Sequence, residues 1–202
     1  MTSTPRWRGP IGWCALLYVL TVVGVTLWYY QRTRTIVLAG IDQRLVAGAS
    51  SVHYVLADDF HDRARSAESI TPAEDSANID GLSGLAQRAG FAFLFTLVQH
   101  GDTIFITASS ATDEERRDQT VVRYYEPYRE AAPPVVDAFG RTGIVFATYT
   151  DRWGMFRAAY LPQVSPGGQP YLSAAEVDIS FVRQKQQEAM IESIVLAAIL
   201  LI

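Results

Sequence analysis

The chain has one cysteine, Cys14, among 202 residues. That excludes an internal disulfide framework and any metal centre built on thiolates. Cys14 lies in an apolar run, where a thiol is inert packing. No strong excess of either charge is present: 17 Lys and Arg stand against 21 Asp and Glu, a net charge of −4, and nothing points to a nucleic-acid partner. The sequence has no Gly-x-Ser-x-Gly elbow and no phosphate-binding glycine loop, and Gly84 and Gly90 form no dinucleotide fingerprint. Internal repeats and low-complexity tracts are missing too. With no recognisable set of acid, base and nucleophile, the chain itself is expected to be non-enzymatic and to carry no cofactor.

Apolar runs, by contrast, are long. Residues 11–30 hold no charged side chain. At 1.5 Å per residue, about twenty such residues cross the roughly 30 Å hydrocarbon core of a bilayer. Trp7 and Trp13 lie near one end of the run, and Trp28, Tyr29 and Tyr30 cluster at the other, as interfacial aromatic belts do. A cleaved signal peptide would have a shorter apolar region and a small-x-small cleavage site, so a retained anchor is expected. Arg6 and Arg8 precede the run and Arg32 and Arg34 follow it. The short N-terminus and the long following domain favour an inside N-terminus. Residues 190–202 are apolar apart from Glu192 and Ser193. They read as the opening of a second membrane helix, cut before it is complete. The expected order is therefore a cytoplasmic N-terminus (1–10), transmembrane helix 1 (11–30), a domain outside the cytoplasm (31–187) and the start of transmembrane helix 2 (188–202).

Within that domain, residues 31–70 read as one long helix. Leu38, Ile41, Leu45, Val52, Val55, Leu56 and Phe60 recur at three- and four-residue steps, giving an apolar stripe that packs on a following sheet. Pro72 and the Ser/Asp/Asn-rich stretch to Gly81 are expected to end it. A short helix over 82–89 closes at Gly90. Residues 91–98 are a continuous apolar run, a buried strand, and Gly101-Asp102 turns into a second strand over 103–109. Thr112 with Glu115 fits a capping box and opens a short helix. An irregular aromatic insertion over 121–134 carries Arg123, Tyr124, Tyr125 and Tyr128, followed by a short helix over 135–139 stopped by Gly140. Three more strands are expected at 142–150, 155–163 and 169–177, the last two joined through Pro166-Gly167-Gly168. The fold class is α+β: a long N-terminal helix on a five-stranded antiparallel sheet, with the insertion covering the other face.

The densest chemistry lies in residues 149–157, Tyr-Thr-Asp-Arg-Trp-Gly-Met-Phe-Arg. Asp-Arg-Trp-Gly suits a tight turn, because Asp bonds its own backbone and Gly tolerates positive φ. A hairpin there places Tyr149, Asp151, Trp153 and Arg157 around one mouth, a mixture of aromatic walls and opposed charges that suits a small polar ligand. The plainer account is a hairpin whose Trp packs on the core and whose charges face water. Elsewhere, Asp58, His61 and Asp62 share a helix face near His53, at steps that suit a divalent metal. A solvated helix face explains them more simply, and no metal site is assigned. The sign-alternating run 113–118 also reads as a solvated surface.

Phe-Leu-Phe-Thr at 93–96, Ala-Ser-Ser-Ala-Thr-Asp-Glu-Glu at 108–115, the 149–157 stretch, Pro162 and Glu-Val-Asp-Ile at 176–179 carry a resemblance. Over about 31–187 the chain resembles the extracytoplasmic PAS-like sensor domains, also called PDC or Cache domains, of bacterial chemoreceptors, histidine kinases and diguanylate cyclases. The resemblance implies a periplasmic sensor domain on an inner-membrane receptor, a homodimer, and an amino acid or small carboxylate as ligand. In amino-acid-sensing members a Tyr-x-Asp helps hold the ammonium, and Tyr149 and Asp151 match it. Arg123 and Tyr125 occupy the region that supplies a carboxylate clamp, without its Arg-x-Trp-Tyr spacing. Asp178 matches a later strand-end acid. Together with Trp153, Phe156 and Arg157 from the hairpin, the expected ligand residues are Tyr149, Asp151, Trp153, Phe156, Arg157, Arg123, Tyr125 and Asp178. Strand alternation, however, puts Arg157 on the opposite face from Phe156. A ligand-free module that sets dimer geometry or docks a partner protein is the competing reading.

Overall fold

The computed structural model describes residues 9–129, 133–151 and 154–180. The first element, helix α1 (Pro10–Ser51), is 42 residues long. Its most apolar 18 residues have a mean hydropathy of 1.6, and none of them is buried inside the protein. By length and composition α1 is the one helix among the described residues able to cross a membrane. The second apolar run, 190–202, lies outside the described residues.

Two compact units are present, and the second, Ile41–Phe181, holds the sheet. Its part of α1 buries Leu45 and Ala49 completely. At Gly48 the helix runs so close to the Phe91 ring that an added Cβ would lie 2.4 Å from Cζ.

The long helix expected over 31–70 is corrected. α1 stops at Ser51, a 3-10 turn follows at Val52–Tyr54, and a four-residue helix α2 (Phe60–Arg63) comes after it. Val52, Leu56 and Phe60 are buried as the stripe requires, but on successive short pieces. Asp58-Asp59 lies at the break, and short acids compete with helical backbone bonding. The second correction concerns Pro72, which starts a helix instead of ending one. In α3 (Pro72–Ala89) Pro occupies the first turn and the Thr71 hydroxyl accepts a bond from the Glu74 amide. A proline at N1 loses no helical hydrogen bond, and its fixed φ suits the helix. Gly90, at φ 68°, closes α3 in the left-handed conformation.

The sheet has six strands, not the five expected: β1 (Phe93–His100), β2 (Thr103–Ser109), β3 (Glu126–Pro127), β4 (Val145–Asp151), β5 (Gly154–Val164) and β6 (Pro170–Asp178). Their order is β3-β2-β1-β6-β5-β4, and every pairing is antiparallel. The extra strand, β3, is two residues of the insertion paired with Phe105 and Ile106. Helix α4 (Asp113–Asp118) carries the expected capping box, with Thr112 and Glu115 satisfying each other's backbone amides. α3 packs on β1 and β2, whereas α5 (Pro133–Phe139) packs on β4, β5 and β6. One apolar core lies between α5 and the sheet face that presents Phe95, Leu97, Ala158, Tyr160 and Ala174, closed by Val135 and Ala138 of α5.

Candidate functional site

The face beneath α5 holds the chain's least expected buried group. β6 runs through the centre of the sheet and is buried from Tyr171 to Val177. It is nonetheless interrupted by an acid, Glu176, which is 4% exposed. Glu176 lies opposite Phe93 on β1 and Ala158 on β5, so its side chain shares their face. The Tyr160 hydroxyl, itself buried, donates to Glu176 Oε1 over 3.5 Å. Tyr149 lies on the same face, near enough for the Glu176 charge to act on its phenol, and Tyr128 acts electrostatically on both tyrosines. Burial, then the charge of Glu176, hold the Tyr149 and Tyr160 hydroxyls protonated well above the usual tyrosine range. They therefore remain donors. A carboxylate beside phenols and flanked by Phe93 and Phe156 can receive an ammonium or hydroxyl group, and among the described residues it is joined by no nucleophile paired with a base.

Tyr149 and Phe156 are direct cross-strand partners, with rings 5.7 Å apart and nearly parallel. Asp178 lies opposite Phe156 on the same face, at the exposed end of β6, where its carboxylate accepts from the Ser180 amide at 2.7 Å. Tyr149, Phe156 and Asp178 are thus brought together. Asp151 ends β4. Its side chain and Trp153 lie outside the described residues.

Three other sequence-derived candidates are placed elsewhere. Arg157 points from the opposite face of β5, as alternation requires. Its Nε and Nη2 each donate to Asp42 of α1 at 2.8 Å, Nη1 donates to Thr148 at 3.0 Å, and the guanidinium stands 5.3 Å from the Phe146 ring. It is committed to holding α1, not to the Tyr149 face. Arg123 and Tyr125 lie beside β3, at the other edge of the sheet from β4. Arg123 pairs with the buried Asp75 at 2.7 Å, and Asp75 also accepts the Tyr124 amide at 3.2 Å. Burial of Asp75 raises its carboxyl pKa, with Arg123 and the Tyr124 amide opposing the rise. The Tyr125 hydroxyl donates to the Arg65 carbonyl at 2.7 Å and meets His100 Nδ1, while its ring stacks on Phe105 at 4.4 Å. These residues clasp the insertion to α3 and β2.

Glu176 and Tyr160 are not among the candidates that the sequence singles out. The available signal was an acid inside the apolar run Tyr-Leu-Ser-Ala-Ala-Glu-Val, whose burial must be compensated. A concavity of about 400 Å³, lined by Ile41, Arg44, Phe91, Val177, Asp178 and Ile179 among others, opens beside α1. Arg44 donates there to the Gly90 carbonyl at 2.8 Å, so it caps α3. Among the described residues no group of three or more His, Cys, Asp or Glu gathers to hold a metal ion.

An antiparallel sheet with a long N-terminal helix and a short helix, α5, packed on one face is a PAS-like architecture. Solved structures of that kind match the chain. The sensory domain of the Campylobacter jejuni chemoreceptor Tlp3 (CcmL), with isoleucine bound, superposes with a TM-score of 0.52 at 10% identity, covering 90% of this chain and 67% of that one. The Tlp3 ligand-binding domain in complex with L-valine gives 0.53 at 10% identity, with the same coverage. The chain therefore has the fold of chemoreceptor sensory domains, and spans about two thirds of theirs. No family model and no curated protein matches the sequence.

Proposed function

We propose that the chain is the ligand-sensing region of a bacterial transmembrane signalling receptor. In this reading α1 anchors it in the inner membrane, residues 31–187 form a periplasmic sensor domain, and two copies pair. Ligand binding is passed through the membrane helices to a cytoplasmic output domain. The observation that carries it is the carboxylate of Glu176, buried with phenol donors on one face of a PAS-like sheet. Burying a carboxylate is costly, and such groups concentrate where a polar partner is received. The ligand is a small polar molecule, an amino acid or small carboxylate. Glu176 with Tyr149 and Tyr160 receives its ammonium or hydroxyl, and Asp178 lies on the same face at the end of β6. The isoleucine and valine held by the similarly folded Tlp3 domains support this class.

One observation favours the ligand-free alternative: Tyr149 and Tyr160 already pack against the core beneath α5. A thermal-shift screen of the whole chain in detergent micelles, against amino acids, carboxylates and amines, separates the two. A ligand at a hundred times its dissociation constant adds about 2.7 kcal/mol. A shift of several degrees that is lost in Glu176→Gln supports the sensor. A flat response across the panel supports the docking module.

A further inference from the structure

His61, on α2, takes no part in the site above, yet it is 4% exposed. Its ring stacks on Tyr171 of β6, with centroids 3.6 Å apart and planes 10° from parallel, and Phe60 meets it edge-on at 5.0 Å. Its Nε2 is buried with no hydrogen-bond partner. The next residue, Asp62, grips the tip of the β5–β6 hairpin: its carboxylate accepts from the Ser165 hydroxyl and from the Gly167 amide at 2.9 and 3.0 Å. Ser165 Oγ in turn accepts the Gln169 amide at 2.9 Å. Two consecutive side chains thus fasten α2 to the hairpin, one by stacking and one by charge. Gly167 is required at the contact, since an added Cβ would lie 2.6 Å from Asp62 Oδ1.

We propose that His61 and Asp62 form a proton-operated latch, which holds the hairpin tip at residues 165–169 against α2 while His61 is neutral and releases it when His61 is protonated. A proton on the buried imidazole leaves the cation two courses. It can draw Asp62 away from Ser165 and Gly167, or it can leave Tyr171 for water; both undo the same fastening. Among the described residues the groups around it offer no other relief. On its own element Arg63 is already held by Asp59 at 3.0 Å and by Glu74 of α3 at 2.7 Å. From β6 comes the Tyr171 phenol, raised by burial and hence neutral. From the insertion comes the neutral Tyr124, whose ring meets Phe60. The turn itself, Ser-Pro-Gly-Gly-Gln, contributes no ionisable side chain. Burial lowers the His61 pKa to about 4, with Asp62 opposing in part. The neutral state therefore holds near neutral pH, and release belongs to the acid range.

The test is hydrogen exchange of the whole chain in micelles from pH 7 to 4.5, corrected for the intrinsic pH dependence of exchange. Peptides covering residues 163–171 should lose protection by up to about tenfold per pH unit below about 6.5, the slope for uptake of one proton, while β1 stays protected. His61→Phe keeps a stacking ring that cannot titrate, and its hairpin should hold level protection over the same range. A hairpin that opens equally in His61→Phe, or wild-type protection that stays flat, overturns the latch. The ring resonances of His61, followed by NMR in the wild type, decide the matter independently of any variant. Titration well below 6 together with the amides of Gly167 and Gln169 supports it, and titration near 6.5 with no response at those amides refutes it.

Discussion

Arg157 is where the two accounts of the 149–157 stretch part, because a ligand clamp and a structural strut respond differently to its removal. The side chains of Arg157 and Asp42 are 16% and 23% exposed, and they form two parallel charge-assisted hydrogen bonds. Exposed pairs contribute about 0–1 kcal/mol, and loss of one partner from a fully buried pair costs about 3–5 kcal/mol. Four-fifths burial places Arg157→Met between these, near 2–3 kcal/mol, including the lost bond to Thr148 and the contact with Phe146. For the unit Ile41–Phe181 that corresponds to a Tm lower by roughly 6–12 °C. Asp42→Leu should cost a similar amount, since it strands the guanidinium. The double variant should recover part of the loss, because replacing both members of a buried pair with apolar groups is often close to neutral.

The assay is a double-mutant cycle by thermal unfolding in micelles, followed by circular dichroism. A coupling energy of about 1.5 kcal/mol or more supports the strut; one below about 0.5 kcal/mol refutes the reasoning from geometry. The same proteins test the clamp. If Arg157 only braces α1, any ligand found for the wild type should still raise the Tm of Arg157→Met by the same increment. Loss of that increment with an unchanged starting Tm would return Arg157 to the ligand.

Glu176→Leu should remove the acceptor of the buried Tyr160 phenol and destabilise by about 1–3 kcal/mol, whereas Glu176→Gln should keep the fold within a few degrees of wild type and lose only the response to cationic ligands in the thermal-shift screen. Asp75→Ala frees both Arg123 and the Tyr124 amide, and limited proteolysis should then cut within 121–129 at least several-fold faster, with Asp75→Asn intermediate because it still accepts from Tyr124. The same change at two glycines of α1 should have opposite signs. Gly48→Ala drives a methyl into the Phe91 ring and should cost about 1–3 kcal/mol, while Gly40→Ala meets open space and should raise helix stability by up to about 1 kcal/mol, both read from unfolding curves.

What sequence reasoning could reach follows from where the physics is local. Thr112 with Glu115, Gly90 after Ala89 and the Gly101 turn each settle their own few residues, and each stands as expected. The five longer strands are legible, one as a continuous apolar run (91–98) and others from the turns beside them. Pro72 misled because proline speaks equally for a helix start and a helix end, and only the Thr71 cap beside it decides. β3 had no local signal at all: Glu126 and Pro127 become a strand only because β2 presents an open edge to the insertion.

The site divides the same way. Tyr149 and Phe156 are accessible through strand alternation, which also separates Arg157 from Phe156. Arg123 and Tyr125 were placed by analogy with a clamp, and such an assignment cannot know that β3 and β4 form opposite edges of one sheet. Glu176 was hidden for a different reason. A strand buried on both faces shows no alternation, so nothing on β6 separates the α5 side from the α1 side. In such a strand the polar residue that ought not to be there is itself the signal. Apolar burial alone cannot account for Glu176, and the Tyr160 phenol beside it supplies part of the polar compensation that its burial demands.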